Sequence, residues 1–452
     1  MASHFRRQRL LVFLRDWFGR GPSGTRKPLV LRGARQVGKS SLIRDFCSEE
    51  GLELLELNFE RSPQLAGLFS HGPNSRTISA LELHFGRRLH ERSVLFFDEI
   101  QAAPEVFARL RYFREEHPEI AVVAAGSLLE FMLGDSAHGV PVGRLEYLHL
   151  GPARFEDFLD ACGDSALLEL LCHAQPGELQ SLNTVVHQQL LSRAREFSLV
   201  GGMPEAIARY TSRESGDLLG SSAVQDSILQ TTQEDFAKYR RRVPMERLLR
   251  IFQSLPTQVG RKWIHARINP DDRAQASDAA LELLCLARVA CRVRHSAGNG
   301  LPLEAETNDR FFKVLFLDVG LMQRLLQTPP ALSDWVRVNE GAIAEQWVCQ
   351  HLLDLRADFE KPALHYWVRE KAGAQAEVDA LLPWNGTVIP VEIKAGPSGK
   401  VRSLRVFLDE HPRSPFGVHF STEPLLWDPR HRILRVPLYA VEQLYRVMAT
   451  LG

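Results

Sequence analysis

The sequence predicts an α/β protein of several domains, and three observations predict it. Short apolar runs alternate with helical patterns from residue 29 to about residue 152, as expected of a parallel sheet covered on both faces. A mainly helical stretch follows to about residue 259, and beyond it hairpin patterns lead into a second alternation of helix and strand. The 452 residues leave room for about three domains.

Taken in order, LVLRG after Pro28 reads as a buried strand, SSLIRDFCSEE as a helix and LELLELNF as a second strand. VLFFDEI, IAVVAAGS and EYLHL supply three more strands. FEDFLDACGDSALLELL, VHQQLLSRAREFSLV and MERLLRIFQSL carry helical periodicity, interrupted by a loop at Gly201-Gly202-Met203-Pro204. KWIHARI is short and mixed, DAALELLCLARVA is a helix, and CRVRHS and RFFKVLFLD flank a turn at Gly298-Asn299-Gly300. Helices followed by a hairpin suggest a winged helix-turn-helix. NEGAIAEQWVCQHLLDL is an amphipathic helix; ALHYWVRE, AEVDALLP and TVIPVEIKA are strands, the last two joined by a hairpin at Asn385-Gly386. The expected organisation is a parallel-sheet core over 1–152, a helical lid over 153–240, a winged-helix module over 241–330 and a second α/β domain over 331–452.

Composition narrows the classes. Hydrophobic residues make up 44% and charged residues 24%, enough apolar mass for sizeable cores, so disorder as the dominant state is excluded. Lys+Arg and Asp+Glu both number 55, so wholesale polyanion binding is not indicated. The six cysteines (47, 162, 172, 285, 291, 349) are scattered without a C-x-x-C pair, as expected of reduced packing residues. The first apolar stretch is broken by Arg9, Arg15 and Asp16, which does not suit a signal peptide, and no run approaches 18 uninterrupted apolar residues. A cytoplasmic location without a membrane partner is expected.

The chemistry begins at Gly33-Ala34-Arg35-Gln36-Val37-Gly38-Lys39-Ser40, which matches G-x-x-x-x-G-K-[ST] and stands between a strand and a helix. Such a loop wraps phosphates with backbone N–H groups at a helix N-terminus. Lys39 is placed to reach the β- and γ-phosphates and Ser40 to supply a hydroxyl ligand to Mg²⁺, with Ser41 next in the helix. VLFFDEI delivers Asp98 and Glu99 at a strand's carboxyl end beside the loop. Asp98 would hold Mg²⁺ and Glu99 would polarise the attacking water. Ser127, after another apolar strand, reads equally as a γ-phosphate sensor or as the N-cap of SLLEF. Arg144 reads either as an arginine finger for its own or a neighbouring subunit, or as an exposed arginine. ATP and Mg²⁺ are the expected cofactors.

Together these stretches resemble the bacterial and archaeal P-loop ATPases of the AAA superfamily that carry a C-terminal restriction-endonuclease-like domain. The resemblance rests on LRGARQVGKSSLIRDF, LFFDEIQAAPE, AAGSLLEFM, VGRLEYLHLGPARFEDFL, GGMPEAI, KVLFLDVGLMQRLL, GAIAEQWVCQHL, and AEVDALL with PVEIKAG, in order from about residue 29 to 396. It implies an AAA-type ATPase with a helical lid and winged helix, and it supports Arg144 as the arginine near the γ-phosphate. Met203 stands where the resemblance leads us to expect an aromatic residue, and Asp235 in TTQEDFAKYRRR is left without a role.

The C-terminal carboxylates complete the reading. Glu377 and Asp379 share one strand face by period two, as do Glu392 and Lys394, and Asp379 and Glu392 lie 13 residues apart across the hairpin. This is the D…E-x-K pattern of restriction-type nucleases. Asp379 and Glu392 would hold Mg²⁺, Lys394 would orient hydroxide, and Glu345 on the preceding helix would complete the site. The competing reading is solvent-facing charge on a half-exposed hairpin. Lys238-Tyr239-Arg240-Arg241-Arg242, Arg261-Lys262, Arg292 and Arg294 are cations that could meet DNA or RNA phosphates, or simply be solvated. Two functions follow: an ATP-controlled nucleic-acid enzyme, which would be a homo-oligomer if the arginine finger acts on a neighbouring subunit, or a nucleotide-switched scaffold whose C-terminal domain binds a partner without cutting.

Overall fold

A computed structural model describes residues 6–21, 25–70, 75–134, 143–239, 242–268, 274–329, 340–355, 359–369, 376–396 and 401–451. Val142, Arg240 and Arg241, singled out above, lie outside the described residues, as do the expected boundaries at 240/241 and 330/331. Among the described residues no helix is long and apolar enough to cross a membrane.

The first sheet comprises β1 (Leu29–Arg32), β2 (Glu53–Asn58), β3 (Ser93–Asp98), β4 (Ala121–Gly126) and β5 (Glu146–His149). Its order is β2-β3-β4-β1-β5, and every pairing is parallel. The continuous burial of SVLFFD and AVVAAG follows from cover on both faces. Leu29, Leu31, Val94, Phe96, Val123 and Leu148 face the helices Gln8–Gly19 and Lys39–Glu50 through Leu14, Trp17, Leu42, Ile43 and Phe46. Val30, Leu95, Phe97, Val122 and Ala124 face the helix Pro104–Glu116 through Val106, Phe107, Leu110 and Phe113. Parallel strands align their carboxyl ends, so the loops after β1, β3 and β4 open together at one edge.

The second sheet comprises β6 (Ala290–Ser296), β7 (Thr307–Phe316), β8 (Leu364–Val368), β9 (Glu377–Trp384), β10 (Thr387–Ile393), β11 (Gly417–Ser421), β12 (Leu426–Asp428) and β13 (Ile433–Pro437). Its order is β12-β13-β11-β10-β9-β8-β6-β7. The hairpin expected as the wing is therefore an edge of the C-terminal sheet, with β6 running parallel to β8 through Val293↔Leu364 and His295↔Tyr366. A boundary at residue 330 would cut one hydrogen-bonded sheet in two. Local pattern could not show this, because β6 and β8 are joined only by pairing between residues about 70 apart. The β9–β10 hairpin turns at Asn385-Gly386 with φ +44° and +77°, the left-handed pair that a two-residue turn between twisted strands requires.

Between the sheets, the helices Phe155–Ala161, Thr184–Val200 and Glu340–Asp354 share an aromatic cluster. Trp347 lies 5.5 Å from Phe155 and 4.9 Å from Phe197, ring centre to ring centre. One apolar core consequently runs from Leu10 to Met448.

Candidate functional site

The glycine-rich loop leaves β1 at Gly33 and enters the helix Lys39–Glu50 at Gly38, whose φ of +90° needs a residue without a Cβ. A side chain on Gly38 would press on Pro204, 3.3 Å away, so the Gly201–Pro204 loop seats against the phosphate loop. The Lys39 ammonium folds into the loop and donates to the carbonyls of Gly33 (3.0 Å) and Ala34 (2.7 Å). Burial holds it down to about 8, against the pull of Glu99 and Asp98.

The acidic strand end closes on this loop. Ser40 Oγ donates to Asp98 Oδ1 at 3.1 Å, and Asn58 Nδ2 donates to Asp98 Oδ2 at 3.1 Å. Burial, with the charge of Glu99, raises the Asp98 carboxyl above its ordinary value. Glu99 sits in the left-handed region at φ +50°, which turns its carboxylate toward the Gln101 amide and the Ser127 hydroxyl, the latter at 3.4 Å. Arg35 Nε donates to Ser127 Oγ at 3.3 Å and pairs with Asp235 at 2.8 Å. Lys39, Ser40, Asp98, Glu99 and Ser127 are thus brought together. The paired oxygens of Ser40 and Asp98 are hard donors of the kind Mg²⁺ takes.

Arg144 stands elsewhere. In the β1–β5 register Leu29 lies opposite Glu146, so Arg144 is six residues, about 20 Å along the strands, from the level of Gly33. Its half-exposed side chain pairs with Glu115 at 3.3 Å. Action on its own phosphate loop is therefore ruled out by the direction of β5. The nearby cations are largely matched: Lys238 by Glu60 at 3.0 Å, Arg292 by Asp278 and Glu282 at 3.4 Å, and Arg294 by Asp309 at 3.7 Å. Lys262 lies 3.6 Å over the Phe311 ring.

Several residues at this centre were not anticipated. Asp318, fully buried at the end of KVLFLD, accepts from Gly202 N (2.7 Å), Leu321 N (3.0 Å) and Gln350 Nε2 (3.4 Å). It ties the loop against Gly38 to the helix Glu340–Asp354. Glu130 takes both Arg32 and Arg288, and Arg288 also donates to His149 Nδ1 at 2.9 Å. Asp235, which carried no role in the sequence, latches the helix Leu218–Asp235 to the phosphate loop through Arg35. A cavity of about 630 Å³ lies between the two sheets, but of the phosphate loop only Ala34 lines it, so it is not where the loop would hold phosphates.

In the C-terminal sheet, the expected residues lie close together around a cation the sequence did not signal. Lys313 on β7 is buried, and its ammonium pairs with Glu345 (2.9 Å), Glu377 (2.6 Å) and Asp379 (3.2 Å). These carboxylates raise its pKa against the opposing effect of burial. β9 and β10 part beyond the Ala380↔Val391 pair, and there Asp379 Oδ2 takes the Ile393 N–H at 2.9 Å. Glu392 instead pairs with Lys394 at 2.9 Å. Lys394 also feels the charges of Asp379 and Glu345. The expectation that Glu345, Asp379 and Glu392 converge as a ready ligand set is not met: among the described residues no three His, Cys, Asp or Glu side chains form one. Lys313 occupies Glu345 and Asp379, and Lys394 occupies Glu392.

Family comparisons agree with the first centre. Residues 25–159 match the model described as AAA domain, residues 191–332 match domain of unknown function DUF8612, and residues 340–439 match domain of unknown function DUF4143. Among solved structures, the Aeropyrum pernix ORC2 protein in its ADPNP–ADP complexes is similar at 14% identity and a TM-score of 0.37, covering 71% of this chain and 93% of that one. Thermotoga maritima RuvB is similar at 14% identity and a TM-score of 0.31, over 64% and 90% of the two chains. C. elegans PCH-2 is similar at 10% identity and a TM-score of 0.25, over 45% and 58%. A comparison with curated proteins finds no match. Residues 25–159, with their complete phosphate loop and acidic strand end, match the AAA domain model and have the features of a P-loop nucleotide-binding domain.

Proposed function

We propose that this protein hydrolyses ATP and uses the nucleotide cycle to control a nuclease-like C-terminal domain acting on nucleic acid. The observation that carries this reading is the grouping of Lys39, Ser40, Asp98 and Glu99 at the carboxyl edge of a parallel sheet, with Ser40 Oγ 3.1 Å from Asp98 Oδ1. Ser40 and Asp98 would hold Mg²⁺, which neutralises phosphate charge when bound. Lys39 turns from the loop carbonyls to the β/γ-phosphates, and Glu99 orients and deprotonates the attacking water. Ser127, between Glu99 and Arg35, reports on the γ-phosphate. Since Arg144 points away from its own loop, the finger reading requires a neighbouring copy, and with it a homo-oligomer.

The nuclease-like centre of this reading would draw on Glu345, Asp379, Glu392 and Lys394 once Lys313 releases Glu345 and Asp379. In this reading the β6–β7 hairpin acts as an edge of the C-terminal sheet and not as a separate wing, and Arg261 and Lys262 would lie toward nucleic acid. The six cysteines are unpaired, which suits a reducing, cytoplasmic setting. One observation favours the second reading, a nucleotide-switched scaffold: two carboxylates of that centre, Glu345 and Asp379, are already engaged by Lys313, with Glu377 beside them. Electrophoretic shift and cleavage of a DNA and RNA panel, with and without ATP–Mg²⁺, tests the proposal. ATP-dependent binding with cleavage lost in Asp379→Ala supports the enzyme, whereas ATPase activity without either response leaves the scaffold.

A further inference from the structure

Two buried groups in the C-terminal sheet carry polar atoms without a hydrogen-bond partner and are registered across adjacent strands. His419 on β11 is fully buried, and neither of its ring nitrogens is bonded. Its register partner in the parallel β10–β11 pair is Glu392. One Glu392 oxygen takes Lys394, while Oε2 is buried without a hydrogen bond of good geometry, and the Leu404 N–H favours the charged form of this carboxylate. Registered residues on adjacent strands present their side chains on one face, with backbones about 4.8 Å apart. Two orphaned polar groups placed side by side indicate a partner that both can share.

The charges around them favour a cation. Glu345, Glu377, Asp379 and Glu392 are linked with Lys313 and Lys394, and Arg435, the register partner of His419 on β13, is taken by Glu423 at 3.2 Å. Five carboxylates here stand against three cationic side chains, so with every carboxylate ionised the cluster carries an excess of two negative charges, which one divalent ion would balance. Asp379 has both oxygens engaged, by Lys313 and the Ile393 N–H, and so serves as an anionic neighbour more readily than as a ligand.

We propose that Glu392 Oε2 and the His419 imidazole are the protein ligands of a divalent cation of the borderline transition-metal class, Mn²⁺, Co²⁺ or Zn²⁺, with water completing its shell. An imidazole beside a carboxylate selects such ions over Mg²⁺, which takes oxygen ligands. The inference deepens the nuclease-like reading and rests on it only for what the cation does, because binding is measurable without cleavage.

The test titrates Mn²⁺ and Co²⁺ into the full-length, nucleotide-free protein. Pulsed electron paramagnetic resonance of Mn²⁺ should show ¹⁴N coupling from one imidazole, and Co²⁺ should give a visible absorption band. His419→Leu should abolish the nitrogen coupling and weaken binding by about tenfold or more, with ATP binding unchanged as the check on folding. If that variant does not fold, Glu392→Gln keeps the side-chain volume and should lose Co²⁺ binding. No ion bound at millimolar concentration, or binding and coupling unchanged in these variants, overturns the proposal. Absence of nucleic-acid cleavage overturns the nuclease reading and leaves the cation site standing.

Discussion

Lys39 directs its donors inward, onto the carbonyls of Gly33 and Ala34, and so fills the cradle that nucleotide phosphates would enter. Removing its charge by Lys39→Ala is expected to abolish measurable ATP binding in calorimetry while the fold persists. Glu99 differs in kind. Its carboxylate is held by Gln101 and Ser127 rather than by the loop, so Glu99→Gln should bind ATP–Mg²⁺ normally while steady-state hydrolysis falls by roughly 10²–10⁴-fold. Wild-type turnover in that variant would remove Glu99 from the chemistry. These residues were legible in the sequence because the spacing that defines them is local. Lys313 was not, because it meets its partner Asp379 across 66 residues and stands in a strand where a lone lysine carries no pattern.

At the scale of elements, the helix Glu340–Asp354 joins the two centres. It carries Glu345 at the Lys313 cluster, Gln346 bonded to the Phe316 N–H and carbonyl, Gln350 at Asp318, and Asp354 paired with Arg154. Asp318→Ala would leave the Gly202 N–H and the Gln350 amide buried without partners and uncap the helix Val319–Leu325. A loss of about 2–4 kcal/mol in denaturant unfolding is expected.

The β5 strand supplies a pH test. Burial, with Arg288 and Arg32, holds His149 down to about 3, and the same arginines hold Glu130 below its ordinary value. Both shifts act in one direction: the unfolded chain takes up protons that the fold refuses, so the contribution of these two groups is fully present only above about pH 6.5 and is lost as pH falls. Between pH 6.5 and 4.5 His149 alone should remove on the order of 2 kcal/mol, and His149→Gln should flatten that part of the stability profile.

At the scale of the molecule, the direction of the parallel strands sets what Arg144 can do. The entry to β5 and the exit of β1 are at opposite ends of one sheet, so a single copy cannot place Arg144 at its own loop. If the finger acts between copies, specific ATPase activity should rise with protein concentration, and Arg144→Ala should lower it without changing ATP affinity. Constant specific activity across the dissociation range, followed alongside light scattering, would remove Arg144 from hydrolysis. Similarly, β6 joins β8 and leaves β7 as the outer strand, so the hairpin belongs to the C-terminal sheet while it also packs on the helices before it.

The parallel sheet, the phosphate loop, the acids beside it and the β9–β10 hairpin are legible in the residues alone, because each follows from periodicity or from spacing over a few residues. Only the tertiary structure decided that the expected wing continues the C-terminal sheet, that Asp318 joins the loop at Gly38 to a distant helix, and that Lys313 stands among the carboxylates. It also decided that His419 is buried opposite Glu392. All four depend on which segments pair or pack across long stretches of chain. Strand register and burial set those partners, and neither is written in the local order of residues.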